Sequence, residues 1–398
     1  MTRTLVLVTA VFLAALGFRA AAQSGPTRTA DGQRIFRFDT FGDEQLWTST
    51  LHLDQAVANV SPATALSVGL KVDSEALPAP VADAIRAGRV DLNDPAVTIA
   101  LLKLNAVVGV VGKVNEANQL ESVGVTCALC HSTVDDSFAR GIGRRLDGWP
   151  NRDLNVGAIV ALSPVLTPAQ RAVFNSWGPG RYDPRLQAFD GTSFIPLNSS
   201  TLPVEIPPAY GLRHVGFETV TADGPVSYWN DYVAVSQMGG HGSFSDSRIG
   251  LTITQTPDLV TPKLPALVDY ELSLEAPTPP RGSFNREAAK CGEHVFRDAG
   301  CASCHTKPAF TDVLRSPGHR EPLLHAPAET GMEPLYALRS ATNGYRTAPL
   351  RGVWQHPPYF HDGSAKDLPA VVEHYNTVKS LGLTPQQQAD LVEYLKSL

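Results

Sequence analysis

Cys127-Ala128-Leu129-Cys130-His131 and Cys301-Ala302-Ser303-Cys304-His305 are the segments of this chain best suited to chemistry. Both read C-x-x-C-H, the attachment pattern of a c-type haem. Residues three and four apart share one face of a helical turn, so the paired thiols can bond the two vinyl groups of one porphyrin. The adjacent histidine then projects from the same face to the iron as its proximal ligand. A zinc site would need four clustered ligands, and a redox dithiol gives no reason for a histidine after each pair. Two covalently bound haem c groups are therefore expected, on Cys127, Cys130, Cys301 and Cys304, with His131 and His305 on the irons. Cys291 is left over. It lies mid-helix in Glu287-Ala288-Ala289-Lys290-Cys291-Gly292, where a buried, inert thiol is expected.

The sixth ligand decides what such an iron does. A haem capped on both sides mainly passes electrons, whereas an open or weakly capped iron binds peroxide or dioxygen. Apart from Met1 the only methionines are Met238 and Met332. For the first haem, Gln237-Met238-Gly239-Gly240-His241-Gly242 is the best candidate. Glycine lets a backbone approach a flat ring closely, so Met238 or His241 could face the iron, although the segment also reads as a plain surface turn. Asp135 and Asp136 are candidates for a distal acid–base pair. Arg144, Arg145 and Arg152 follow the first motif and could pair with haem propionates, or with Asp147 and Asp153.

Composition sets the frame around these sites. The chain has 398 residues, 43% of them hydrophobic and only 18% charged, with 32 glycines and 31 prolines. That implies a real core and long irregular connections. The formal charge is −6 with no run of Lys or Arg, which excludes a nucleic-acid surface. Residues 1–22 read as a secretory signal peptide, with Arg3, an apolar stretch from Leu5 to Phe18, and Ala20-Ala21-Ala22 before Gln23. The expected product is exported, periplasmic and soluble. The longest later apolar stretch, Ala96 to Val111, carries Lys103 and Asn105 and reads as a buried helix started by Asp94-Pro95.

The expected fold class is mainly α, with two cytochrome c-like domains and long irregular loops. Leu274-Glu275-Ala276-Pro277-Thr278-Pro279-Pro280-Arg281-Gly282 is the most evident linker. It separates an N-terminal haem-binding domain, residues 24–273, from a C-terminal cytochrome c domain, residues 283–398. Helices are expected over Val81 to Arg89, Pro95 to Val108 and Asn285 to Arg297, after the capping box Thr167-Pro168-Ala169-Gln170, and after Thr384-Pro385-Gln386-Gln387. Residues 178–261 read as extended loops around a short hairpin. No internal repeat is evident beyond the two haem motifs.

Tyr345-Arg346-Thr347-Ala348-Pro349-Leu350-Arg351-Gly352-Val353-Trp354, followed by Pro358-Tyr359-Phe360-His361-Asp362-Gly363-Ser364, resembles the C-terminal domain of the bacterial di-haem cytochrome c peroxidase superfamily. That group includes the di-haem enzyme that matures methylamine dehydrogenase. The resemblance covers about residues 284–398, and the first domain matches only in order and in its single haem motif. It places the sixth ligand of the second iron at Tyr375, where the peroxidases carry Met and the methylamine-dehydrogenase-maturing enzyme carries Tyr. A core aromatic is the plainer reading of Tyr375, and Met332 and His361 are alternatives as ligand. The family sets His361 close to this haem, where it hydrogen-bonds or ligates. An aromatic lies between the haems of related peroxidases, and Trp149 and Trp229 are the candidates here. Calcium, which those peroxidases hold between domains, is left open.

In function, the resemblance implies an oxidoreductase of the peroxidase-like type, reacting with peroxide or dioxygen at one haem and passing electrons through the other. Tyr375, His361 and Trp229 are the candidate catalytic residues. A small electron-donor or acceptor protein is the expected partner, with a homodimer left open. The alternatives are an electron-transfer cytochrome with two six-coordinate haems and no substrate, or a subunit docking on a larger oxidoreductase.

Overall fold

The computed structural model describes residues 26–314 and 322–398, so the signal-peptide reading of residues 1–22 lies outside the described residues. Helix makes up 40% and strand 13%, which corrects the mainly-α expectation to a mixed one. The strands form small two-stranded sheets. Several arise where the loop-rich segment 178–261 pairs with itself, as Gln187–Phe189 does with Phe194–Pro196 and Phe244–Asp246 with Leu251–Ile253.

Local signals account for the helices. Asp94 accepts a hydrogen bond from the Ala96 amide and Pro95 takes the first position, so a helix runs over Pro95–Lys103. It stops short of Val108 because Asn105 turns into the left-handed region at φ 52°. The chain then enters an antiparallel hairpin, Val110–Val114 against Leu120–Val125, with Val110 opposite Val125. Its β-branched residues favour strand over helix. Thr167 with Gln170, and Thr384 with Gln387, form the expected capping boxes, and Asn285 caps Arg286–Asp298.

A repeat that sequence reasoning missed frames both haem motifs. The Pro26–Phe38 helix crosses the Leu264–Glu271 helix at Gly32, where a Cβ would come within 2.0 Å of the Ala266 carbonyl oxygen. One turn on, Phe36 meets Tyr270 edge-on at 5.5 Å. The Arg286–Asp298 helix crosses Pro385–Lys396 at Gly292 in the same way, with the Asp390 carbonyl oxygen at 2.0 Å from a would-be Cβ. One turn on again, Phe296 meets Tyr394 edge-on at 5.3 Å. The sequences agree as well, since Gly32-Gln33-Arg34-Ile35-Phe36-Arg37 matches Gly292-Glu293-His294-Val295-Phe296-Arg297 in glycine, β-branched residue, phenylalanine and arginine. The two copies differ in the distance from helix to haem motif. Cys301 comes almost directly after the second helix, whereas residues 39–126 intervene before Cys127.

Cys291 is exposed, which corrects the buried-thiol expectation. The inward face of its helix is Ala289, Gly292, Val295 and Phe296, and Cys291 points the other way. One apolar core gathers residues between Ile35 and Tyr270, and a second gathers Val295 to Leu398. Smaller clusters tie the two together, such as Val204 with Tyr336, Ala337 and Tyr345. No helix among the described residues is long and apolar enough to cross a membrane.

Candidate haem sites

The strand Leu120–Val125 delivers the chain to the first motif, and Ala128–His131 is a single helical turn. The His131 Nδ1–H donates to the Pro207 carbonyl at 3.0 Å. A carbonyl only accepts, so Nδ1 carries the proton and Nε2 keeps the lone pair that an iron needs. Burial drives the His131 pKa down to about 4, against the opposing Pro207 hydrogen bond, so the ring is neutral at neutral pH. Burial also pushes the Cys130 thiol up to about 12. A thiol kept protonated is a poor redox nucleophile, which weighs against a redox dithiol.

Cys127, Cys130 and His131 open onto a cavity of about 250 Å³. Apolar residues line most of it, among them Leu46, Trp47, Val156, Val160, Phe174 and Val226. Four further groups give it chemistry. Met238 is buried and lines the cavity, carried there by the π-helical turn Val233–Gln237, and its amide bonds back to the Val233 carbonyl at 2.8 Å. Glu271 is 4% exposed and lines it too, held by the Asn230 side-chain amide at 2.6 Å. Burial raises the Glu271 pKa to about 8, with the nearby Glu218 adding to the rise and Asn230 opposing it. Trp229 lines the same cavity and donates its indole N–H to the Glu218 carbonyl at 3.2 Å.

Arg346 comes from the C-terminal part of the chain and also reaches this cavity. It donates to the Phe217 carbonyl at 2.6 Å and to Glu218 at 3.3 Å, while its buried Nε has no hydrogen-bond partner. An orphaned guanidinium N–H at the edge of a cavity built on C-x-x-C-H fits a haem propionate. The residues present therefore fit the group that the motif implies.

At the second motif, Gly300 takes a left-handed conformation at φ 81° and the Cys301–Ser303 turn follows. The His305 Nδ1–H donates to the Phe310 carbonyl at 2.9 Å, the same arrangement as at His131, and burial lowers its pKa. Tyr375 lies on the Leu368–Val378 helix beside Phe360, with ring centroids 6.0 Å apart. Its phenol is held up to about 12, mainly by burial and further by the Cys301 and Cys304 sulfurs. Behind Cys304, His325 bonds to Asp312 at 2.9 Å and to Glu329 at 3.1 Å, and Thr347 also donates to Asp312.

His361 and Met332 belong to the same half. His361 is buried between Tyr336 and Tyr345 and bonds to the Tyr345 hydroxyl at 3.2 Å, while Met332 packs on the cluster of Val204, Tyr336 and Tyr345. His241 donates to the Pro257 carbonyl at 2.7 Å and does not line the first cavity. Arg144 is exposed and pairs with Asp135, and Arg145 pairs with Asp73, so neither lines it. Asp135 and Asp136 sit in the same outer loop, bonding to the Arg144 and Gly141 amides. Arg152 pairs with Glu205 and approaches His356. Trp149 meets Trp354 of the C-terminal part edge-on at 6.0 Å, whereas Trp229 is embedded among Tyr228, Tyr232 and Arg185. Sequence reasoning missed Glu271 and Arg346. No local pattern in the sequence marks either residue.

No family model matches the chain. The methylamine utilization protein MauG of Methylophilus methylotrophus is 28% identical over 126 residues, covering 28% of this chain and 37% of that protein. The chain thus spans little more than a third of this relative's length. Among solved structures, a MauG-like protein associated with microbial copper homeostasis aligns with TM-score 0.36 and 17% identity, over 55% of this chain and 86% of that one. Hydrazine synthase of Kuenenia stuttgartiensis aligns with TM-score 0.33 and 19% identity, over 49% and 72%. Structural likenesses of this size fix neither a fold nor a function.

Proposed function

We propose that this chain, related to the di-haem cytochrome c peroxidase superfamily, is a periplasmic di-haem oxidoreductase. It would react with peroxide or dioxygen at the first haem and pass electrons through the second. The observation that carries this reading is the asymmetry of the two sites. The first cavity contains a buried carboxyl with a pKa of about 8, whereas the second half carries a phenol, Tyr375, against Phe360 and in the field of the attachment sulfurs. Haem iron, when bound, supplies the site where the oxidant is held and reduced.

The chain's own residues do the rest. His131 and His305 present Nε2 because backbone carbonyls hold their Nδ1–H groups. Glu271 is protonated at neutral pH and can give a proton to an oxygen leaving within the cavity, then recover it from solvent. Arg346 would hold a propionate of the first haem through its unpartnered Nε–H. Tyr375 would serve the second haem as a phenol-oxygen ligand, harder than methionine and favouring higher oxidation states. Trp149 and Trp354 carry electrons between the two units, residues 24–273 and 283–398. A small redox protein would exchange electrons with the second haem.

Met238 favours a second reading, because it lines the first cavity and could cap that iron. Both irons would then be saturated and the protein an electron carrier. Carbon monoxide added to the reduced holoprotein separates the two readings. Binding to one of two covalently retained haems supports the oxidoreductase. Two haems that bind none support the carrier, and a single haem per chain would remove both.

A further inference from the structure

The segment 39–126, which separates the first framing helix from its haem motif, has no counterpart at the second motif. Val72, Leu77, Ala82, Leu101, Leu102, Ala106 and Val107 pack into a small apolar cluster of their own, but that cluster does not close against the rest of the molecule. Leu53, Leu66, Leu101 and Leu102 instead face Ile159 and Leu162 across a cavity of about 340 Å³. Protein interiors seldom leave voids much larger than a water molecule. An engineered apolar cavity of about 150 Å³ stays dry and takes up benzene or xenon, so this one has room for roughly twice as much.

The lining also restricts what can enter. Its buried polar groups are already committed: Lys71 Nζ to Asp153 at 2.5 Å, and Thr98 Oγ1 to the Val60 carbonyl at 2.7 Å. The ion pair puts the one buried charge of the walls against its own carboxylate, and nearly all the remaining lining is aliphatic, so a charged or strongly polar molecule would lose its hydration with little recompense. Thr64 and Asn175 mark an exposed mouth, and Leu162 beside them is 43% exposed. On the inner side, Trp47, Val125 and Leu129 belong to the walls of both this cavity and the first haem cavity. Leu129 lies inside the first C-x-x-C-H itself.

We propose that residues 39–126 build a binding site for a neutral, apolar small molecule, set directly behind the first haem motif. The proposal does not depend on which iron reacts, or on whether either does.

The test uses the holoprotein with benzene and xenon as probes. Crystals pressurised with xenon should show it between Leu102 and Ile159, and calorimetry should detect benzene binding in solution. Benzoate, the same ring with a charge, should bind at least tenfold more weakly. Ala161→Leu fills the interior and Ala65→Phe the outer part of the cavity, and each should weaken benzene binding at least tenfold. Because the two substitutions lie on different walls, failure of one to fold leaves the other decisive. Absence of xenon from this cavity, benzene affinity unchanged in a folded variant, or benzoate binding as tightly as benzene would overturn the proposal.

Discussion

Trp149 and Trp354 meet edge to face, their ring centroids 6.0 Å apart and their planes at 87°. The first stands against the first haem motif, because the neighbouring Gly148 amide donates to the His131 carbonyl at 2.8 Å. The second follows Val353, which packs in the same apolar cluster as Cys301 and Ala302. No other aromatic pair recorded among the described residues joins the surroundings of one motif to those of the other in this way. Trp354→Leu should leave both haem spectra intact and slow electron exchange between haems at least tenfold, read by flash reduction. The lost aromatic pair should cost roughly 0.5–1.5 kcal/mol of stability. An unchanged exchange rate would remove the tryptophans from the path.

Glu271 makes stability depend on pH with a definite sign. Its folded pKa of about 8 lies above the unfolded carboxyl value of about 4.3. The folded state therefore retains a proton that the unfolded state has lost, and stability falls as pH rises between those values. The slope from this group is at most about 1.4 kcal/mol per pH unit. Glu271→Gln should remove it, so the variant gains on the wild type steadily from pH 5 to pH 8 in chemical denaturation. A constant difference between the two proteins would show that Glu271 titrates normally.

The two glycine crossings predict paired defects. A methyl group at Gly32 or Gly292 would collide with the backbone of the opposite helix rather than with a movable side chain. Gly32→Ala should loosen the first haem and Gly292→Ala the second, each at a cost of about 1–3 kcal/mol or more. Denaturation followed in the haem absorption bands would show this. Wild-type stability in both variants would mean that the helices can slide apart freely.

Much of the chemistry was legible because it is local. Each C-x-x-C-H is contiguous, and Asp94, Thr167, Asn285 and Thr384 cap the helices that they precede. The repeat around Gly32 and Gly292 was legible too, yet it was hidden by the unequal spacing to Cys127 and Cys301. Glu271 and Arg346 could not be assigned from local pattern. Their roles come from distant chain segments meeting at one cavity, and an arginine in a loop carries no mark of its partner. Arg144 and Arg145 illustrate the converse, since nearness in sequence to His131 put them against Asp135 and Asp73 instead. The small sheets were missed because runs of two or three residues give no period to read.

Electron paramagnetic resonance of the fully oxidised holoprotein tests most directly the claim that the two irons differ. One high-spin ferric signal from the first haem and one low-spin signal from the second are expected. Tyr375→Phe, which removes a phenol oxygen at nearly constant volume, should convert the low-spin signal alone. Two low-spin signals in the wild type, with the second unaffected by Tyr375→Phe, would contradict both the open first iron and the tyrosine cap.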